Sequence, residues 1–137
     1  ALPILYKLIL QLNITDSFQI NEATTDILKK YTESSICILS SRFEGFGMSI
    51  AEAMSCGIPV VSFNCPCGPR YIIRDGEDGI LVENGNVEQM AAKICYLIEN
   101  EHRRKEMGRK AHINIKRFET ELIMSQWIKL FEELLRI

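Results

Sequence analysis

The sequence contains no run of about 18 apolar residues, so no helix is expected to cross a membrane. It also lacks a basic head followed by a small-residue cleavage site, and its first residues do not read as a secretory signal. Net charge is nearly absent: 16 Lys and Arg stand against 18 Asp and Glu, leaving −2. That balance gives no general attraction for nucleic acid. The one basic stretch, residues 103–117, has no interleaved aromatic residues on which bases would stack. It reads as a solvated helix face, with anionic lipid head groups as the alternative contact. Paired cysteine spacing is missing too. Cys37, Cys56, Cys65, Cys67 and Cys95 are odd in number and scattered through apolar segments. Cys65-Pro66-Cys67 is the one close pair, and C-x-C without a second pair is poor zinc spacing. These are expected to be reduced thiols in a cytoplasmic core, and no metal is expected. His102 and His112 lie among Lys and Arg and read as solvated. There is no internal repeat, low-complexity tract or linker.

What remains is ordinary globular material. With 137 residues, 47% apolar and 25% charged, the chain is one domain with enough length for a core. Residues 3–12 place Ile4, Leu5, Leu8, Ile9 and Leu12 at helical spacing, and Pro3 suits a first turn. Residues 17–20 read as a short strand. A helix follows from Thr24 or Thr25 to about Tyr31. The apolar runs 36–39, 58–63 and 80–82 read as strands, and the middle one is apolar enough for a parallel sheet covered on both faces. A helical turn is expected at 70–74, and Asp75-Gly76-Glu77-Asp78-Gly79 forms a tight turn into the last strand. Asn86 caps a helix to Glu99 whose inner face is Val87, Met90, Ala91, Ile94, Cys95 and Ile98. A second helix, 101–115, buries Met107, Ala111 and Ile115. The last begins near Thr120 and carries Ile123, Trp127, Leu130, Phe131 and Leu134 on one face. Strands alternating with helices predict a Rossmann-like, doubly wound parallel α/β domain, whose ligands lie at the carboxyl ends of the strands.

Two loops fall at those ends, 40–47 and 64–68. In the first, Gly45-Phe46-Gly47 lets backbone approach a ligand closely, and a short helix over 49–56 follows, closed by Gly57 with Pro59 beyond it. A strand, a glycine loop and a helix N-terminus in that order make an anion site. Glu44 precedes the helix and Glu52 lies within it, so the anion would meet amides between two acceptors suited to hydroxyl groups. A phosphate ester carrying sugars on both sides fits. Ser49-x-x-Glu52 also has the form of a capping box, with Ser49 as N-cap, and that reading stands beside the ligand reading. For Glu44 the alternative is a solvated loop carboxylate.

The segment Glu44-Gly45-Phe46-Gly47-Met48-Ser49-Ile50-Ala51-Glu52-Ala53-Met54, with Cys56-Gly57-Ile58-Pro59-Val60-Val61 after it, resembles the E-x7-E donor motif of retaining, GT-B-fold glycosyltransferases. Cys65-Pro66-Cys67-Gly68-Pro69-Arg70 is similar to the loop of the branch that builds lipopolysaccharide and capsule chains. Residues 75–82 and Arg117-Phe118 match as well, whereas Tyr71 stands where the family usually has Glu. The resemblance implies the C-terminal, donor-binding half of such a fold. It assigns Glu44 to the transferred sugar as the catalytic position. The amides of Gly45, Phe46, Gly47, Met48 and Ser49 would face the diphosphate and sugar, and Glu52 the ribose hydroxyls. It implies a UDP- or GDP-linked donor, a glycan or lipid-linked glycan acceptor, no cofactor, no metal and no nucleic acid. The location would be cytoplasmic, with peripheral contact at the inner face of the membrane as a further expectation. The family's diphosphate-binding Arg and Lys, its acceptor domain and the neighbouring strands fall outside this sequence. A non-catalytic nucleotide-binding module and a structural α/β module are the alternatives.

The family's strand order, 3-2-1-4-5-6, implies that strands 36–39, 58–63 and 79–82 form a continuous parallel sheet with a bare apolar edge at 36–39. Residues 1–20 should then pack poorly, and the Trp127 and Phe131 face should be exposed. Such an edge invites pairing with another chain. The isolated chain is therefore expected to self-associate or melt at low temperature. A sedimentation profile of pure monomer with a sharp, high thermal transition would contradict this.

Overall fold

The computed structural model describes residues 2–136. In chain order the elements are α1 (Leu2–Gln11), α2 (Ile27–Thr32), β1 (Cys37–Leu39), α3 (Met48–Ser55), β2 (Val60–Phe63), α4 (Pro69–Ile72), β3 (Gly79–Val82), α5 (Val87–Glu99), α6 (Glu101–Asn114) and α7 (Thr120–Leu135). Single 3-10 turns occur at Thr15–Ser17 and Ile115–Phe118. The three strands form one parallel sheet in the order β1-β2-β3, with Cys37 opposite Val60 and Val60 opposite Gly79. This is the expected α/β fold, and the central strand shows why its sequence is so apolar: all four residues of β2 are buried.

Alternation along β2 divides the core in two. Val60 joins Ile50, Ala53 and Met54 of α3, Ile72 of α4 and Ala111 of α6 on one face. Val61 and Phe63 join Ile80, Val82, Met90 and Leu97 on the other, under α5. Met107 belongs to the second cluster and Ala111 to the first, so α6 seals the β3 side of both layers. The helix C-termini are closed by side chains as well as by turns. Arg104 donates to the carbonyls of Leu97 and Ile98 at the end of α5. Arg103, Lys105 and Lys110 pair with Glu106, Glu101 and Glu106 along α6. Lys110 and Arg103 together hold the Glu106 carboxyl down to about 2. Much of the basic stretch is thus committed within the molecule.

Several expectations are corrected. Residues 17–20 form no strand: Phe18 has extended backbone (φ −129°, ψ 131°), but among the described residues no strand lies beside it to complete a ladder. The cap of α2 is Asp26, whose side chain accepts from the Lys29 amide, rather than either threonine. On α5, Val87, Ala91, Cys95 and Ile98 are exposed, and Leu97 takes the buried position instead. Cys67 is exposed too, so the core-thiol reading holds fully only for Cys65. The His112 ring bonds through Nδ1 to the Ser55 carbonyl at 2.7 Å, linking α6 to α3 although the residue is exposed.

The outer strand is uncovered as expected. Cys37 and Leu39 pack on the first cluster, but Ile38 on the other face is 49% exposed. Helix α1 buries only Ile9, and Ala1 lies outside the described residues. Trp127 and Phe131 stack at 5.7 Å on an exposed face of α7. No helix among the described residues is long and apolar enough to cross a membrane.

The tight turn before β3 contains the one acidic group sealed from water among the described residues. Asp78 accepts the Arg74 amide at 2.8 Å and the Asn114 side-chain amide at 3.1 Å, and its Oδ2 lies 4.0 Å from Arg117. Removing one partner of such a set leaves the others buried without an acceptor. Asp78→Ala is expected to cost about 3 kcal/mol in urea denaturation. Asp78→Asn, which keeps an acceptor for the Arg74 amide, should cost less. A loss for Asp78→Ala within about 0.5 kcal/mol, as at an ordinary surface site, would show that the turn holds without it.

Candidate functional site

Chain direction places the loops after β1 and β2 at one end of the sheet, and the candidate site is built from both. The first loop enters α3 through Gly47, the N-cap, at φ +95°. A side chain is disfavoured there, and an added Cβ would also meet Ile50 Cδ1 at 3.1 Å. Helix α3 therefore begins at Met48, one residue earlier than expected. Its first internal bonds run from the Ile50 and Ala51 amides to the Gly47 carbonyl, at 3.0 and 3.4 Å. No side chain caps it. Ser49 is thus the second helical residue and not an N-cap, which overturns the capping-box reading. The amides of Met48 and Ser49 open the helix, where the macrodipole favours negative charge.

The second loop braces the first. The Gly68 amide donates to the Gly45 carbonyl at 3.1 Å. The two backbones lie so close that a Cβ on Gly68 would stand 2.2 Å from the Phe46 carbonyl oxygen and 3.2 Å from Glu44 Cβ. Cys65, from the same loop, is fully buried beside Glu44; burial pushes its thiol up, and the Glu44 carboxylate adds to that. Asn84, just past β3, donates to the Arg42 carbonyl at 3.3 Å. The Phe46 ring meets Phe118 edge-on at 5.5 Å. Behind Phe118, Arg117 donates to the carbonyls of Tyr71 and Ile72 at the end of α4. Arg117 belongs to this frame, and the solvated reading fails for it.

Glu44 is half-buried in the loop, Gly47 is buried, and Gly45, Phe46 and Met48 are exposed. Glu52 is half-buried on α3 and makes one side-chain contact: the Tyr31 hydroxyl donates to its Oε2 at 3.2 Å. A cavity of about 300 Å³ opens beside Glu52, lined also by Ala51, Ser55, His112, Ile115 and Phe118. Among the described residues no group of three or more His, Cys, Asp or Glu could hold a metal ion. The site therefore offers backbone amides, a helix dipole, two carboxylates and space. Gly68, Tyr31, Phe118 and Arg117 were not singled out as parts of it. Their roles come from contacts across 21 to more than 70 residues of chain; the family likeness touched Gly68, Arg117 and Phe118 without giving those roles, and Tyr31 left no local trace.

Comparisons with known proteins bear on this arrangement. An exopolysaccharide phosphotransferase of Streptomyces coelicolor is 36% identical over 131 residues, which cover 95% of this chain and 14% of that protein. A poly(ribitol-phosphate) alpha-N-acetylglucosaminyltransferase of Staphylococcus aureus is 36% identical over 126 residues, 91% of this chain and 26% of the relative. The chain thus spans about a quarter or less of the length of these two relatives. The crystal structure of HepE from Anabaena in complex with UDP superposes with a TM-score of 0.90 at 25% identity, over 96% of this chain and 36% of that one. The profile of the glycosyl transferases group 1 family matches residues 4–113, a stretch that runs from α1 through the glycine loop to α6. The chain belongs to the glycosyl transferases group 1 family.

Proposed function

We propose that this chain is the donor-binding part of a retaining glycosyltransferase that moves a sugar from a UDP- or GDP-linked donor to a glycan or lipid-linked glycan acceptor. The observation that carries the reading is the uncapped start of α3, opened by Gly47 and flanked by Glu44 and Glu52. A diphosphate meets the amides of Met48 and Ser49 and the positive end of the helix dipole. Glu44, braced by the 64–68 loop, orients the transferred sugar. Glu52 takes the ribose hydroxyls beside the cavity it lines. The UDP held by HepE supports this choice of ligand. A lipopolysaccharide- or capsule-type acceptor rests on the likeness of residues 65–70 to that branch.

The chemistry is electrostatic. Fixed amides stabilise the departing diphosphate at no reorganisation cost during the reaction. Neither Glu acts as a covalent nucleophile in this reading. Retention, in this reading, means departure and attack on one face of the sugar, and it rests on the likeness of the Glu44–Met54 segment to the retaining family.

In the full-length protein that carries this chain, Glu44→Ala should lower turnover of nucleotide-sugar about 100-fold or more, as expected when a positioning group next to the reacting centre is removed. Nucleotide affinity measured by calorimetry should change far less. Wild-type turnover in the variant would sink the assignment of Glu44. An absence of heat from either UDP or GDP at millimolar concentration would favour a structural module instead.

A further inference from the structure

Tyr31 is the part of the site with no role so far. It stands on the last turns of α2, its ring half-buried against the first core cluster. That packing fixes the ring, and the hydroxyl is spent on Glu52 Oε2 at 3.2 Å. Burial, then the bond to the Glu52 carboxylate, pushes the phenol up to about 12, so it keeps its proton through the physiological range. The bond therefore has one direction: tyrosine donates and the carboxylate accepts. A carboxylate has about four acceptor sites on its two oxygens, and Tyr31 uses one of them. Among the described residues no other side chain bonds to Glu52, and the start of α3 makes no claim on it because Gly47 is the cap. An unrestrained glutamate samples several rotamers, and freezing it at the moment of binding weakens affinity.

We propose that Tyr31 is a positioning residue for the donor site: it holds Glu52 in one rotamer and leaves Oε1 free for the ribose hydroxyls. This rests on the donor-site reading of Glu52 given above. Tyr31 touches neither the sugar nor the diphosphate. Its effect belongs to binding of the nucleoside and not to the transfer step.

The test is a double-mutant cycle in the full-length protein, using Tyr31→Phe, Glu52→Ala and the pair. The readouts are KM and kcat for the nucleotide-sugar, and calorimetric affinity for UDP (or GDP where that donor is used) and its 2′,3′-dideoxy form. Tyr31→Phe removes one oxygen atom and is expected to weaken nucleotide affinity and raise KM about threefold to tenfold, as for the net loss of one ordinary hydrogen bond. It should leave kcat within about twofold, since uniform binding alone is lost. In the Glu52→Ala background the same change should do nothing further, and the dideoxy nucleotide should bind wild type and Tyr31→Phe alike. If the penalty persists undiminished without Glu52, or applies equally to the dideoxy nucleotide, Tyr31 acts through packing and the proposal fails while the donor site stands. No penalty at all also overturns it. If Glu52→Ala leaves nucleotide affinity unchanged, the ribose assignment of Glu52 falls and takes this one with it. Should Tyr31→Phe lower the thermal midpoint, the dideoxy comparison still decides, because a packing defect weakens both nucleotides equally.

Discussion

Asp78 is shut away from water, and its two oxygens are divided between the Arg74 amide on one side and Asn114 with Arg117 on the other. Burying a carboxylate is costly unless it is both hydrogen-bonded and paired with a charge, so the two donors and the Arg117 guanidinium must be in place together. Arg74 follows the C-cap of α4, and Asn114 and Arg117 lie where α6 gives way to the 3-10 turn. The carboxylate therefore fixes the turn before β3 against the C-terminal helices. Arg117, held from that side, closes the carbonyls of α4, and its neighbour Phe118 meets Phe46 of the glycine loop. A buried carboxylate in the turn before β3 is thus linked, through Arg117 and Phe118, to the position of the glycine loop.

The loop itself is defined by what is missing from it. Gly47 turns the chain into α3 in a backbone region that side chains avoid, and Gly68 lets the second loop touch the Phe46 carbonyl. Between them the backbone has little freedom left, which is the condition for amides to act as a fixed anion site. Tyr31 extends the same logic to a side chain. Its hydroxyl does for Glu52 what Gly68 does for Phe46.

Much of this was readable from local pattern. The apolar runs, the glycines and the capping Asn86 fixed the parallel sheet, the site loop and α5, because strand burial and helix ends leave signals within a few residues. The start of α3 was misread because Ser49 and Glu52 satisfy the spacing of a capping box, whereas the real choice of cap depended on the φ of Gly47. Residues 17–20 have a strand's composition but no neighbour to pair with, and a ladder is not a local property. Asp78 looked like one more acid in a polar turn. Arg117 looked like one more cation on a basic helix. The family likeness covers both segments, but the structural role of either residue is legible only once the fold brings Asn114 and the end of α4 together. Glu52 stood out in the motif, but Tyr31 did not, because the two meet across separate elements and nothing local to Tyr31 points to the pair.

The site draws on Tyr31, Glu44, the Gly47 turn, Glu52, Gly68 and Phe118, which together span most of the described chain. No subset of neighbouring residues could form it, so competence to bind appears only when the elements around the first core cluster have come together. A ligand that recognises this geometry then binds the folded state alone, and by mass action it adds about 2.7 kcal/mol of stability at a hundredfold excess over its dissociation constant. For a sheet with an uncovered strand and two exposed apolar helices, that is a substantial share of a small domain's stability. Occupancy by substrate would then govern how long the fold persists, as well as how fast it turns over.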